Sequence, residues 1–313
     1  MDAAFFHNVI FRIKLHESNG QSFQDVFNQL MSFVYDSYVA VTPWGKLGDR
    51  GNDGYVATEQ RYFQLFSPVT TFKPADILTA CKKAETDFGK LLAANTNLKR
   101  YHFVLNDKFR GLPEPLTPVH DAILANHPQL DQCYPIGAQH LFARFIALPV
   151  NAQESIIGGV PSTVPTNLDL SNLGNLLNDL ANNADELVIG GIKPPASFEV
   201  KAVFNGLSDD AKEALLRYAR KSHVVDKFLD ARDVWWRQTV AEDIRNRYLA
   251  LPTDLSGDEK LLLLVDALIP AVARSHPHTL KAYRESSFLV IAKYFETCDV
   301  FENPSSTATA KAH

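Results

Sequence analysis

The stretch Gly45-Lys46-Leu47-Gly48-Asp49-Arg50-Gly51-Asn52-Asp53-Gly54-Tyr55, followed by Tyr62-Phe63-Gln64-Leu65-Phe66-Ser67-Pro68, decides the fold. Glycines bracket acidic residues where a turn enters a strand, and eleven residues past Asp53 the polar Gln64 stands inside an aromatic strand. Paired strands bring such positions to one sheet edge. Hard oxygen ligands there hold a divalent cation, which polarises phosphate and lowers the pKa of attacking water. The competing reading is a turn without chemistry, in which glycine permits the tight backbone and Asp or Asn caps it. Gln64 is then a buried, hydrogen-bonded glutamine, and Trp44, Tyr55, Tyr62 and Phe66 are core aromatics.

Working outward, Phe5–Leu15 alternates apolar and polar residues and predicts a strand. Ser22 is a candidate N-cap, and Phe23, Val26, Phe27, Leu30, Phe33 and Val34 predict a helix to about Tyr38. Strands are expected at Tyr38–Thr42, Arg61–Ser67, Lys99–Leu105 and Asp131–Pro135. Helices are expected from Pro74 to about Ala94, over Val119–Asn126 and over Gly137–Leu148. Runs of strands joined by a crossover helix predict an α/β domain with a mixed central sheet over residues 1–150.

A Gly/Pro/Ser/Thr-rich stretch, Ile157-Gly158-Gly159-Val160-Pro161 and onward, marks a linker over 151–172. Residues 173–302 read as an all-α domain, with helices at about Leu170–Ala184, Ser208–Ala219, Ser222–Phe228, Ala231–Leu249, Asp258–Ala273 and Thr279–Cys298. Phe198–Phe204 reads as a strand or an extended linker, and 303–313 as a disordered tail. Trp235 and Trp236 are adjacent, and neighbouring helix positions point about 100° apart. One of them should leave the core, and a partner surface would explain it.

The net charge of −5 lies wholly in residues 151–313, which carry 17 Lys/Arg and 22 Asp/Glu; residues 1–150 carry 14 of each and hold 14 of the 20 phenylalanines. Neither part has the basic footprint of a committed nucleic-acid binder. The acidic half favours a protein partner. Apolar runs such as Leu261–Val265 are far too short to span a membrane, and Met1–Phe6 has no secretory pattern. Cys81, Cys133 and Cys298 fit neither a disulfide framework nor a zinc cluster, which points to a reducing cytoplasm. His276-Pro277-His278 reads as a helix-capping loop rather than a metal site. No phosphate-binding loop, nucleophile elbow or dinucleotide fingerprint occurs.

The order of elements, with Asp at a strand start and Gln on the next strand, resembles the restriction-endonuclease-like PD-(D/E)xK superfamily, in its Mrr-like branch. Gly20-Gln21-Ser22-Phe23-Gln24 looks like the opening of such domains, and the resemblance covers about residues 18–148. It implies a restriction-endonuclease-like fold, Mg²⁺ bound at Asp53, and Gln64 as the strand glutamine. The family places lysine two residues after the glutamine, where this chain has Phe66, and Gln24 stands where Glu is frequent. The lysine must then come from Lys73, Lys82 or Lys83, with Lys82 the candidate taken forward, or the site is dead. Lys46, Arg50, Arg61 and Lys73 are the candidate nucleic-acid contacts.

Residues 195–302, with Phe204-Asn205-Gly206-Leu207-Ser208 and Lys293-Tyr294-Phe295-Glu296, resemble C-terminal regions of bacterial ABC-three-component conflict systems. That resemblance implies a defence complex with protein subunits, among them an SMC-like ATPase, and leaves DNA contact and homo-oligomerisation open. Two functions follow. One is a component with a degenerate nuclease-like domain and a helical docking domain, with Trp235 and Trp236 as partner contacts. The other is an active Mg²⁺-dependent DNA endonuclease.

Overall fold

The computed structural model describes residues 4–42, 51–68, 73–162, 165, 168–183, 198–297, 300–302 and 304. The contacts divide the chain into Phe11–Ile156 and a second unit of Met1–Ile10 with Ile157–His313. The first holds a small mixed sheet flanked by helices, and the second is helical among the described residues.

Helix α1 (Ala4–Glu17) stands where alternation predicted a strand. The even-numbered Phe6 and Ile10 are as buried as Val9, Phe11, Ile13 and Leu15, so the apolar surface runs around the element rather than along one face of a strand. A helix buried all round carries no clean period for a sequence reading to find. Phe11 stacks on Phe145 with centroids 4.0 Å apart. Helix α2 (Gly20–Val34) starts at Asn19, not Ser22, and Ser22 Oγ accepts the Asn19 N–H at 2.9 Å.

The sheet runs in the order β1 (Tyr38–Ala40), β2 (Gly54–Val56), β3 (Arg61–Phe66), β4 (Arg100–Leu105), β5 (Gln132–Cys133). The first three strands are antiparallel neighbours, and β4 and β5 are parallel additions. Parallel neighbours need a crossover, supplied by α3 (Pro74–Ala94) between β3 and β4 and by α4 (Leu116–Asn126) between β4 and β5. Tyr62, Phe66, Tyr101 and Phe103 pack with Ala80, Ala84, Phe88 and Leu91 of α3 on one face. Phe63 meets Phe27 of α2 on the other, with centroids 5.3 Å apart. Truncating such a phenylalanine to alanine costs about 3–5 kcal/mol. Helices α5 (Ala138–Ile146) and α6 (Val150–Ile157) follow, so the expected connector 151–172 begins as helix, with Ala152 and Ile156 buried.

The helical unit comprises α7 (Leu170–Asn183), α8 (Phe198–Phe204), α9 (Asp209–Ala219), α10 (His223–Asp230), α11 (Trp235–Leu249), α12 (Gly257–Ala267) and α13 (Pro277–Thr297). Phe198–Phe204 is therefore a helix, not a strand or extended linker. At seven residues it is too short for its period to show. Helix α12 stops at Ala267 rather than Ala273, and a short 3₁₀ helix over Ala271–Ser275 follows Pro270. Ser256 caps α12 as half of a reciprocal box with Glu259. His276 accepts the Leu280 N–H through its carbonyl at 2.9 Å, so the His-Pro-His string starts α13 as the sequence suggested. Helix α13 carries the centre of this core: Phe288, Leu289, Val290, Ile291 and Ala292 are all fully buried. Arg284 binds both carboxylate oxygens of Asp266 at 2.8 and 2.9 Å, and donates to the carbonyls of Ile157 and Gly159. No described helix is long and apolar enough to cross a membrane. The expected tail, 303–313, lies outside the described residues apart from Pro304.

Candidate functional site at the edge of strand β2

The turn entering β2 is built by three consecutive residues. Gly51 has φ +78°, and a Cβ there would lie 2.4 Å from the carbonyl oxygen of Asp87 on α3, so the loop touches the helix backbone directly. Asn52 Oδ1 accepts the Gly54 N–H at 3.1 Å. Asp53 donates its N–H to Phe63 O at 2.9 Å, and its carbonyl accepts from Val41 N at 3.1 Å. Its carboxylate Oδ2 accepts the Leu65 N–H at 2.7 Å. The side chain thus extends the ladder by one step where the backbone of β2 turns away. This gives Asp53 a structural duty whatever its chemistry.

The ladder between β2 and β3 ends at Gly54 and Phe63, and Asp53 beyond it bonds to Phe63 and Leu65, the residues on either side of Gln64. Gln64 is 2% exposed. Its amide nitrogen is 3.4 Å from Leu65 O, and its Oε1 is buried with no hydrogen-bond partner. A buried acceptor left unmatched costs about 1–3 kcal/mol. An amide oxygen of this kind is chemically able to bind a hard cation. Among the described residues no group of three His, Cys, Asp or Glu side chains gathers. The donors here are one carboxylate and one amide oxygen, a set that suits Mg²⁺ completed by water and phosphate oxygens.

Gln64, Tyr62 and Phe66 share the face of β3 that α3 covers. Phe66 packs on Phe103 there, with centroids 6.1 Å apart, which explains why no lysine occupies that position. On α3, Lys82 is exposed and turned from the sheet. Lys83 is partly buried and donates to Asp87 Oδ2; Lys90 donates to Asp87 Oδ1 at 2.8 Å. Asp87 itself is 5% exposed. Burial opposes its ionisation, and the two lysines more than overcome this, holding its pKa below the usual carboxylate range. Burial, then the charges of Asp87, Cys133 and Asp53, push the Tyr101 phenol well up; its hydroxyl donates to Ala84 O at 3.1 Å. Burial and Asp53 likewise raise Tyr38. The sequence reading missed Asp87. Its signal was the spacing Lys83–Asp87–Lys90, which puts all three on neighbouring helix positions.

The remaining sequence candidates scatter. Arg61 is buried, paired with Glu59 at 2.8 Å and 2.7 Å from His102 Nε2. Its guanidinium is engaged within the fold rather than offered to a polyanion, which corrects the expectation drawn from its charge. Burial first, then Arg61, depresses the His102 pKa to about 3. Lys73 is exposed just ahead of α3, and its N–H donates to Asp76. Trp44, Lys46, Asp49 and Arg50 lie outside the described residues. In the helical unit Trp235 is 47% exposed beside Val234 at 92%. Trp236 turns inward toward Phe228, with centroids 6.5 Å apart. The adjacent pair diverges as helix geometry requires.

Residues 171–302 match the family model described as C-terminal domain 10 of the ABC-three component (ABC-3C) systems. The match runs from α7 to the chain segment after α13, and so covers most of the helical unit. No curated protein and no solved structure matches the chain.

Proposed function

We propose that this chain is a component of a prokaryotic conflict or defence system of the ABC-three-component kind, in which the helical unit docks other subunits and the sheet unit is nuclease-derived. The observation that carries this reading is the match over 171–302. Systems of that description are multi-component, so a domain shared with them implies protein partners, an SMC-like ATPase among the candidates. Val234 and Trp235 supply the exposed aromatic and aliphatic surface for such a contact. The acidic balance of residues 151–313 favours protein over nucleic acid at that surface. The test is co-purification of the full chain with the proteins encoded beside it. A stable complex that Trp235→Ala weakens supports docking; a chain that stays monomeric among those neighbours rejects it.

A second reading is favoured by the orphaned Gln64 oxygen, on a residue that lies between the two bonded by Asp53. In it the sheet unit is a Mg²⁺-dependent nuclease. The order of helix, Asp-bearing turn, Gln-bearing strand, helix and strand is the one on which the restriction-endonuclease-like resemblance rests. Asp53 and Gln64 would hold the ion, which when bound polarises phosphate and acidifies water. In this reading Lys82 or Lys83 of α3 would supply the cation that stabilises charge on the phosphate. Asp53→Asn should remove Mg²⁺-dependent cleavage of plasmid DNA while preserving the fold; unchanged cleavage rejects the site.

A further inference from the structure

Helix α8 is apolar on two opposite sides, and α13 covers one of them. On that side Phe198 meets Phe295 of α13 edge to face, with centroids 5.1 Å apart. Lys201 Nζ donates to Phe295 O at 3.0 Å, and Ala202 is fully buried. At about 100° per residue, Val200, Val203 and Phe204 fall on the other side, at the i, i+3, i+4 spacing of a single stripe. They are 52%, 65% and 40% exposed. Apolar residues scattered singly over a surface are ordinary, whereas three gathered along one helix face mark a contact surface.

The charges around the stripe decide what can cover it. Glu199 is exposed at its flank, one turn before Val203. The chain then runs into the acidic start of α9, Asp209-Asp210, and the Ser208 N–H donates to Asp258 of α12 at 2.9 Å. The Asn205 amide holds Glu302 beside the end of α8, donating to its carbonyl at 2.9 Å and accepting its N–H at 3.0 Å. The lysines of α8 and α9 do not offset these carboxylates. Lys201 is 2% exposed and spent on α13, and Lys212 pairs with Asp209 at 2.5 Å. An apolar stripe with an acidic rim complements an amphipathic helix whose apolar ridge is flanked by lysine and arginine. Nucleic acid and anionic lipid are repelled by the same rim, and a second copy of the chain brings the same charge with it.

We propose that Val200, Val203 and Phe204 form a docking face for a basic amphipathic helix of a partner subunit, with Glu199 and the carboxylates around the end of α8 selecting its charge. This rests on the docking reading of the helical unit. It adds to that reading a face on α8, on a different helix from Trp235, and the chemistry of what the face receives. At 1.5 Å per residue α8 is about 10 Å long, enough to meet about two turns of the incoming helix.

The test places p-benzoylphenylalanine at Phe204 in the full chain, co-expresses it with the proteins encoded beside it, and irradiates the complex. Mass spectrometry then identifies the peptide joined to α8. The expected product is a partner segment with apolar residues at i, i+3, i+4 spacing and an excess of Lys and Arg. Val203→Asp should weaken the complex about tenfold and Glu199→Lys about threefold, while Val203→Leu leaves it intact. Residue 203 is 65% exposed, so none of its variants should move the melting temperature. Added salt should weaken the unaltered complex more than the Glu199→Lys one. A cross-link within the chain or between two copies of it overturns the proposal, and so does a partner segment that is neutral or acidic. A complex that forms without a cross-link at 204 and ignores Val203→Asp, yet yields to Trp235→Ala, overturns the α8 face and leaves the docking reading standing. Absence of any complex overturns both.

Discussion

Buried charge is handled differently in the two units. In the helical unit several pairs join one helix to another, Arg284 of α13 to Asp266 of α12, Lys293 of α13 to Asp226 of α10, and Arg237 of α11 to Asp226 and Asp230 of α10, while Arg247 and Asp243 pair within α11. Each cross-link raises the specificity of packing. In the sheet unit the pairs of Asp87 stay within α3, and the unmatched Gln64 oxygen stays at the edge of β3. The sheet unit also joins elements through charge, since Glu59 binds Arg61 of β3 and Arg100 of β4, but the pairs of its buried Asp87 run along a single helix.

Five perturbations test that contrast, beginning with the largest. Arg284→Ala strands Asp266 and two carbonyls, so it should destabilise the helical unit by about 3–5 kcal/mol in urea titration. Asp87→Asn should cost the sheet unit only about 1 kcal/mol; equal losses would erase the distinction. Next is the pH response. His102 is fully buried, and its folded pKa of about 3 lies below the unfolded value near 6.5. The unfolded chain therefore takes up a proton that the folded chain refuses. Stability present above about pH 6.5 should fall by a few kcal/mol toward pH 3. His102→Gln, which cannot titrate, should flatten that slope in melts across the window. Gly51→Ala forces a Cβ against Asp87 at positive φ and should cost about 1–3 kcal/mol, read by chemical denaturation. An unchanged midpoint would show that the turn is not seated on α3. The smallest effect is Trp235→Ala, expected to shift stability by no more than about 0.5 kcal/mol. A larger loss would make that side chain part of the core rather than of a surface.

The sequence revealed most where a local signal coincided with a tertiary need. Helix α3 was legible end to end, because Pro74 suits a first helical turn and the periodic pattern stops at Asn95. Strands β3 and β4 were legible because aromatic and β-branched runs are bounded by turn residues. Helix α1 was misread because burial on every side imitates alternation when only odd positions are inspected. Arg61 was misjudged because a charge in a strand shows nothing of the His102 and Glu59 waiting beside it. Asp53 and Gln64 stand out as a pair by their spacing, and the structure bonds Asp53 to Phe63 and Leu65, the two neighbours of Gln64.

The hydrogen bond from Leu65 to the Asp53 carboxylate carries a consequence for how such chains diverge. An aspartate needed to finish a strand ladder is under selection for folding before it is under selection for anything else. A lineage selected for folding alone would be expected to keep Asp53 and its glycine turn intact. Among relatives of this chain, the acidic residue by itself is therefore a poor witness to catalysis.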